Sequence, residues 1–386
     1  MHYNNYRKIN ELPAVRIKAE LLSHGLSLSD AFIANYGAPF LEKRRAYGNS
    51  DDVSYQSVTV PQELYFGEPR LVCSVNIRRS SEWVLDFDGS YFVRNRHYEG
   101  SLVVDFPRRP VFYGETLESG VKSSSIATLY GGGALGIFVY GNCALVDAGQ
   151  ACQYCSIQVN RSVQTEFEEV VKPSQIYDVI RRALLTDGDV ITQVMINGGN
   201  FKDSDKSFRY YVDICEKARA ALDDADSNAE LHLIAYPPKD LSILAALAEH
   251  RVSIAMNSEV FDPVIFSEVC PGKSQSHLRA ALVEAVRVLG KGNVYSILVG
   301  GLEPLSSLSE GIKGLGSEGV TPVINVFHPD PGTPLEGREA PSVEEVMDMG
   351  ALLQDLYSKY SFMVPFYSGC GRNAIDTEAY LGLFVR

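Results

Sequence analysis

From residue 134 to residue 359 the chain alternates between short apolar runs and longer segments with helical spacing. The apolar runs predict six strands, at 134–141, 190–197, 230–236, 252–258, 293–300 and 322–327. Helical patterns lie between and after them, at 173–186, 204–223, 239–250, 275–290, 305–318 and 342–359. Within 204–223, Phe208, Tyr211 and Cys215 share one helical face, which predicts that Cys215 is a core residue. This succession predicts the α/β class and a parallel sheet in the form of a partial (β/α)6 TIM-like barrel.

Upstream of this alternation the pattern changes twice. Residues 1–50 have helical spacing, with Val15, Ala19 and Leu22 on one face. Short segments rich in β-branched and aromatic residues follow, and turn residues separate them as in antiparallel hairpins. They predict strands at 58–60, 71–77, 83–87, 91–94 and 101–106. We therefore expect an α+β extension with a small antiparallel β unit (1–130), a barrel core (131–340) and a C-terminal helix with a capping tail (341–386).

Composition argues against several classes of function. The 386 residues carry a net charge of −13, and a chain this acidic is a poor binder of nucleic acid or of anionic membranes. No apolar run approaches the ~20 residues that a membrane-spanning helix needs. Seven cysteines without a disulfide-framework spacing, and a polar beginning without a signal pattern, predict a reducing cytoplasm as the compartment.

Three cysteines follow the first predicted barrel strand: Cys143, Cys152 and Cys155. Three thiolates on one loop suit three irons of a [4Fe–4S] cube and leave the fourth iron open to a small molecule. A structural zinc site and simple packing of the cysteines as small hydrophobes are the alternatives. Zinc commonly takes four ligands in two separated pairs, and no second Cys-x-x-Cys occurs in the chain.

Polar or glycine-rich segments also follow other predicted strands. They are Asn197-Gly198-Gly199-Asn200, Asn257-Ser258-Glu259, Gly300-Gly301-Leu302-Glu303 and the stretch 328–335. Each of them taken singly makes an ordinary turn. Because barrel enzymes carry their chemistry at the carboxyl ends of the strands, their joint occurrence predicts one site at that end.

At these residues the chain resembles the radical S-adenosylmethionine (SAM) superfamily, over about residues 130–340. The usual motif there is Cys-x3-Cys-x2-Cys. The last two cysteines and Tyr154 match it, whereas the first spacing is eight residues. The resemblance implies that Cys143, Cys152 and Cys155 are the ligands of a [4Fe–4S] cluster.

Further likenesses concern the binding of SAM. Gly198-Gly199-Asn200 resembles the Gly-Gly-Glu motif that holds the methionine amino group, with Asn200 in place of Glu. Asn257 and Glu259 resemble the Asn-x-Glu of lipoyl-synthase-like members. The segment 300–303 resembles the glycine-rich fifth strand that borders the adenine, and the segment 327–335 resembles the turn after strand six of biotin-synthase-like members. The residues that the resemblance places around SAM are Tyr154, Gly198, Gly199, Asn200, Asn257, Glu259, Gly301, Phe327 and His328.

The resemblance implies reductive cleavage of SAM to a 5′-deoxyadenosyl radical, which abstracts hydrogen from a small-molecule substrate for an epimerisation, a rearrangement or a similar reaction. It also implies a low-potential reductant such as flavodoxin or ferredoxin. Radical sulfur insertion with a second cluster is the alternative within this enzyme class, and an iron–sulfur or zinc binding module is the non-enzyme alternative. The remaining cysteines are scattered, which weighs against a second cluster.

The tail contains Cys370 between two glycines, a setting that can present a thiol. Hydrogen-atom donor, sulfur donor and ligand to a second cluster are its candidate roles, and an ordinary thiol in a loop is the alternative. The mouth of the barrel must be closed against solvent around a radical. The N-terminal β unit and the tail after Ser361 are the expected lids.

Overall fold

This computed structural model describes residues 8–37, 39–43, 58–163 and 168–384, and in most of them strands and helices alternate. The strands are β1 (Ser27–Leu28), β2 (Glu63–Phe66), β3 (Leu71–Ser74), β4 (Trp83–Phe87), β5 (Tyr91–Asn95), β6 (Leu102–Val103), β7 (Ala127–Tyr130), β8 (Ala134–Phe138), β9 (Gln193–Asn197), β10 (Glu230–Ile234), β11 (Val252–Ala255), β12 (Val294–Gly300) and β13 (Thr321–Val326). The α-helices are α1 (Ala14–His24), α2 (Asp30–Asn35), α3 (Ala144–Asp147), α4 (Ile157–Val163), α5 (Pro173–Asp187), α6 (Ser204–Asp224), α7 (Pro263–Val269), α8 (Gln275–Leu289), α9 (Leu305–Glu318), α10 (Val343–Lys359) and α11 (Asp376–Tyr380). None of these helices is long and apolar enough to cross a membrane.

The central sheet has seven strands in the order β13-β12-β11-β10-β9-β8-β7 and curls into a half-barrel. Strands β8 to β13 are parallel and lie where the apolar runs predict them, so the α/β class and the partial barrel are confirmed. The seventh strand, β7, was not predicted. It pairs antiparallel with β8 through a tight turn in which Gly131 and Gly132 have positive φ. A run of only four residues before three glycines gives too weak a periodic signal to be recognised as a strand.

The helices predicted between and after the barrel strands are confirmed in all but one case. Residues 241–250 form 3-10 turns instead of the α-helix predicted over 239–250. On α6 the predicted face is buried, and Cys215 is a core residue with no exposed area.

In the N-terminal region the strands predicted at 83–87 and 91–94 are confirmed as β4 and β5, and the other three predicted strands differ. The strand predicted at 58–60 is wrong: the strand begins at Glu63, beyond Pro61, which has no N–H to donate to a ladder. β2 and β3 form a separate hairpin, and β1, β4, β5 and β6 form a four-stranded sheet. Within 71–77 and 101–106 only Leu71–Ser74 and Leu102–Val103 are strands. Of the helical spacing in 1–50, α1 and α2 are formed, and residues 1–7, 38 and 44–50 lie outside the described residues.

The tail runs between the two edges of the half-barrel. Ala374 pairs antiparallel with Asn325 of β13, and the carbonyl of Cys370 lies against Gly131 at the end of β7. Gln193, at the start of β9, donates to the carbonyl of Phe366 at 2.9 Å and accepts from the N–H of Gly369 at 2.9 Å. Phe366 and Gly369 therefore lie near the amino end of β9, whereas Ala374 pairs near the carboxyl end of β13.

Two buried ionic groups hold this tail in place. Lys18 of α1 donates to Glu378 at 2.6 Å and to the carbonyl of Ala374 at 2.7 Å. The Asp376 carboxylate accepts from the N–H groups of Phe366 at 2.8 Å and of Tyr367 at 3.0 Å. Burial raises the pKa of Asp376 from 3.8 to about 6, because a charged carboxylate is costly away from water.

The raised pKa predicts a pH-dependent cost. Between pH 3.8 and about 6 the folded protein holds a proton on Asp376 that the unfolded chain has released, so the free energy of unfolding falls as pH rises through this window. Asp376→Asn has no such dependence and is expected to be more stable than wild type at neutral pH by about 1–3 kcal/mol. Urea unfolding of both proteins at several pH values between about 4 and 7 measures the difference. A difference that stays constant across this range would contradict the assignment.

Candidate active site

A cavity of about 300 Å³ lies at the carboxyl ends of β8, β9 and β11. The cysteine loop, residues 143–155, forms one wall of this cavity, and the segments after β9 and β11 form others. The predicted site residues that line it are Cys143, Cys152, Tyr154, Cys155, Gly198, Gly199, Asn200, Asn257 and Glu259. The structure therefore brings together the cysteines and the first two segments that the sequence indicated for binding SAM.

The cysteine loop is held by backbone hydrogen bonds to the loops on both sides of it. Ala144 at the start of α3 donates its N–H to the carbonyl of Asn200 at 2.8 Å. Gln153 donates its N–H to the carbonyl of Val269 at 2.8 Å. The loop is consequently fixed to the end of β9 and to the end of α7, and its three thiols line the same cavity.

The environments of the Cys152 and Cys155 thiols differ. A hydrogen bond from the Cys270 thiol, with the Lys273 ammonium nearby, lowers the pKa of Cys152 to about 7. Desolvation by the surrounding loop raises the pKa of Cys155 to about 12, although part of its side chain is exposed. Among the described residues no group of three or more His, Cys, Asp or Glu side chains converges on one metal ion. A cube takes one thiolate per iron, so its ligands need not meet at a single point.

Glycine is required at Gly199 because two loops meet there. A Cβ on this residue would collide with the carbonyl oxygen of Asn142, just before the cysteine loop. The carbonyl of Gly199 in turn accepts a hydrogen bond from the Tyr211 hydroxyl at 2.7 Å. Because Gly199 has no side chain, the cysteine loop can pack closely against the segment that follows β9. Gly199 also lines the cavity.

Gly199→Ala is expected to displace the cysteine loop, because the new methyl group meets backbone that cannot rotate away. The expected loss of stability is about 1–3 kcal/mol, as for overpacking in a core, together with reduced iron uptake on reconstitution. Guanidinium unfolding and iron analysis measure the two effects. Gly114→Ala is the control, because Gly114 has open space around it and an ordinary φ. Gly149 of the cysteine loop is unsuitable as a control, because its φ of +68° would strain an alanine. Equal behaviour of Gly199→Ala and Gly114→Ala would contradict this account.

Glu259 is buried and has a left-handed backbone, with φ of 63° and 2% exposure. Its backbone extends the pairing of β11 with β12, through hydrogen bonds with Ile297 and Val299. Its carboxylate forms an ion pair with Lys273 at 2.5 Å and accepts from the Tyr154 hydroxyl. A left-handed conformation in a non-glycine residue is strained and is concentrated at functional sites.

The ion pair with Lys273 offsets the free-energy cost of burying the Glu259 carboxylate. Burial alone lowers the pKa of Lys273, but the Glu259 carboxylate raises it well above its usual range, so the ammonium stays charged. Lys273 lines the cavity and belongs to the turn Cys270-Pro271-Gly272-Lys273. Gly272 allows this turn to approach the cysteine loop, since a Cβ there would lie 2.7 Å from the carbonyl oxygen of Gln150.

Asn257 has an unsatisfied acceptor at the cavity. Its Oδ1 atom is buried and has no hydrogen-bond partner among the described residues. Buried polar atoms in folded proteins nearly always have a partner, so an orphaned acceptor on a cavity wall indicates a missing donor. A hydroxyl or ammonium group of a bound molecule is such a donor.

Four of the residues indicated by the sequence lie elsewhere. Gly301 packs against Pro341, with a φ of +98°. Phe327 is in the core, and His328 pairs with Asp330 at 2.9 Å while burial lowers its pKa. Cys370 is buried beside Tyr130, Ala134 and Met195 in the interior of the half-barrel. None of these four lines the described cavity.

Sequence reasoning missed one wall of the cavity altogether. Ser124, Ser125, Ile126 and Thr128 line it from β7 and the turn before it. No motif marks these residues. The only signal available was the strand β7 itself, whose inward side carries Thr128 onto the cavity.

Comparison with known proteins found curated relatives and similar solved structures. No protein-family model matches the chain. It is 27% identical over 240 residues to a bacteriochlorophyllide c C-7(1)-hydroxylase of Chlorobaculum limnaeum, which covers 57% of this chain and 58% of that protein. It is 21% identical over 264 residues to a biotin synthase of Pelodictyon phaeoclathratiforme, over 66% of this chain and 74% of that protein. The chain thus spans less than two thirds of the hydroxylase.

Similar solved structures include HydG, a maturase of the [FeFe]-hydrogenase, with a TM-score of 0.45 and 11% identity over 59% of this chain and 50% of that one. A radical SAM methyltransferase from Sphaerobacter thermophilus has a TM-score of 0.44 and 15% identity over 71% of this chain and 73% of that one. The curated relatives that this chain matches are radical SAM enzymes, and its seven-stranded half-barrel is consistent with the partial TIM barrel of that superfamily.

Proposed function

We propose that Cys143, Cys152 and Cys155 hold a [4Fe–4S] cluster and that the adjoining cavity binds SAM. The observation that carries this proposal is that the three cysteines, the Gly198–Asn200 segment and Asn257 line one cavity. When bound and reduced, such a cluster supplies the electron that cleaves SAM to methionine and a 5′-deoxyadenosyl radical.

The donor set fits this group. Three thiols on one loop match three irons of a cube and leave the fourth for the amino and carboxylate groups of SAM. The orphaned Oδ1 of Asn257 suits a ribose hydroxyl or the ammonium of SAM. Asn200 follows the two glycines, and its side-chain amide accepts a hydrogen bond without a full charge.

We assign the wall formed by residues 124–128 to the substrate. It contributes the side chains of Ser125 and Thr128 beside the apolar Ile126. The charged pair Glu259 and Lys273 is satisfied internally, so a small molecule with hydroxyl or amide groups suits this wall better than a phosphate or a carboxylate. The proposed reaction on this substrate is abstraction of hydrogen, and the two curated relatives are named for different reactions.

The electron needs a donor, and we propose a low-potential carrier such as flavodoxin or ferredoxin in a reducing cytoplasm.

Anaerobic reconstitution of the full chain with iron and sulfide tests the cluster. About four irons per chain indicate one cluster, and about eight would indicate the second cluster that sulfur insertion needs. Addition of SAM is expected to change the electron paramagnetic resonance spectrum of the reduced protein. An unchanged spectrum at saturating SAM would argue against an open iron.

Asn257→Ala is expected to weaken the binding of SAM about tenfold, the effect of one lost hydrogen bond of about 1.4 kcal/mol. Stability should change little, because the Oδ1 atom has no partner among the described residues. Asn197 is the matched control: its Oδ1 is also buried without a described partner, but it does not line the cavity. Equilibrium binding of SAM to the reconstituted proteins measures the effect. Equal dissociation constants for Asn257→Ala and wild type would remove Asn257 from the site.

A further inference from the structure

A fourth thiol lies beside the cysteine loop. Cys270, which ends α7, has no exposed area and donates a hydrogen bond from its thiol to the sulfur of Cys152. It is outside the three-cysteine motif, and nothing in the proposed function uses it. Two thiols at hydrogen-bond distance within a rigid framework have the proximity that a disulfide requires.

The backbone fixes this proximity. The peptide group between Cys152 and Gln153 donates its N–H to the carbonyl of the peptide group between Val269 and Cys270, at 2.8 Å. The Cα atoms of the two cysteines are therefore each bonded directly to one of two hydrogen-bonded peptide groups. Gly272 lets the turn after Cys270 close against Gln150 of the same loop. The juxtaposition does not depend on flexible side chains.

The other cysteines are placed differently. Cys73 and Cys215 lie in two separate hydrophobic cores, and Cys370 is buried with Tyr130 and Met195. Cys143 and Cys155 line the cavity and make no hydrogen bond to another thiol among those that the structure records. All seven thiols are free, so the pairing of Cys152 with Cys270 is available without reshuffling of an existing bond.

We propose that Cys152 and Cys270 form a reversible disulfide when the loop carries no cluster. With hydrogen peroxide as oxidant, the Cys152 thiol is converted to a sulfenic acid and one water is released. The Cys270 sulfur then attacks that sulfur, the S–O bond breaks, and a second water leaves as the disulfide forms. Two thiols and one peroxide thus give one disulfide and two waters. The inference rests on the proposed function only in treating Cys152 as a cluster ligand.

The consequence is protection of a ligand. A sulfenic acid with no neighbouring thiol proceeds to sulfinic acid, which thiol reductants do not reverse, whereas a disulfide returns to two thiols. Cys270 would therefore keep Cys152 recoverable after the cluster is lost to oxygen.

The test uses the full chain freed of iron, treated with hydrogen peroxide and digested without reduction. Mass spectrometry is expected to find the peptides of Cys152 and Cys270 joined as the major disulfide, and dithiothreitol should restore both thiols. In Cys270→Ser, Cys152 should instead carry sulfinic acid that dithiothreitol leaves unchanged. Cys215→Ser is the control and should behave as wild type.

Two outcomes would overturn the proposal: a major link from Cys152 to Cys143 or Cys155, or full recovery of Cys152 in Cys270→Ser. Native circular dichroism of each variant before oxidation ensures that the folded chain is compared. Because this assay needs no cluster, its result does not depend on whether the proposed [4Fe–4S] cluster forms. If the chain forms the disulfide between Cys152 and Cys270 but never binds iron, the disulfide proposal stands and the proposed cluster site is wrong.

Discussion

Replacement of Cys143, Cys152 and Cys155 together by Ala is expected to abolish both iron binding and SAM cleavage. The three thiols are the only cysteines of the motif, and each holds one iron in the proposed cluster, so their removal leaves no soft ligand on the loop. Iron and sulfide analysis and the visible absorption of the reconstituted variant measure the effect. The fold should persist, because none of the three side chains belongs to the fully buried core.

The matched control replaces Cys73, Cys215 and Cys370 by Ala, which removes the same number of thiols from positions outside the cavity. That variant is expected to keep its iron. Cys143→Ala alone tests the spacing of eight residues, since its cluster should be lost if Cys143 is the first ligand. Undiminished iron in the variant without Cys143, Cys152 and Cys155 would sink the assignment of the loop.

Lys273→Met should cost about 3–5 kcal/mol of unfolding free energy, the usual result of leaving one member of a buried ion pair without its partner. Glu259 is 2% exposed and its carboxylate lies 2.5 Å from the ammonium, so Lys273→Met leaves a buried carboxylate without its counter-ion. Iron uptake should also fall, since Tyr154 of the cysteine loop donates to the same carboxylate. Guanidinium unfolding of the reconstituted and the iron-free proteins measures both effects.

The double variant Lys273→Met/Glu259→Gln decides whether the charge is the cause. Removal of both charges should recover most of the lost stability, because a neutral amide needs no counter-ion. If the double variant is as unstable as Lys273→Met, the lost packing of the lysine stem is responsible and the ion pair is not. If Glu259→Gln alone weakens SAM binding with stability unchanged, the carboxylate contacts SAM in addition to Lys273.

The sequence could predict the barrel and one half of the site because both have local signals. Buried parallel strands are continuous apolar runs, and the residues that follow them must meet at one edge of the sheet. That argument placed Cys143, Gly199 and Asn257 together, and the cavity contains all three.

What the sequence could not show depends on long-range contacts. Glu259 and Lys273 are separated by a helix and a turn, so no periodic pattern links them. The inward course of the tail follows from the pairing of Ala374 with β13 and from the buried contact of Lys18 with Glu378, across most of the chain length. For this reason the glycines on both sides of Cys370 could not show that this residue lies in the interior of the half-barrel and outside the cavity. The strand β7 was too short to recognise, and with it the wall that carries Thr128 was missed.

We propose that this chain cleaves SAM at the cysteine loop. The most direct measurement is the formation of 5′-deoxyadenosine and methionine by the anaerobically reconstituted full chain with dithionite and SAM, followed by liquid chromatography and mass spectrometry. The account predicts equal amounts of the two products from wild type and none from the variant without Cys143, Cys152 and Cys155. A wild-type protein that holds its full iron yet forms no 5′-deoxyadenosine, or a triple variant that still forms it, would contradict the account.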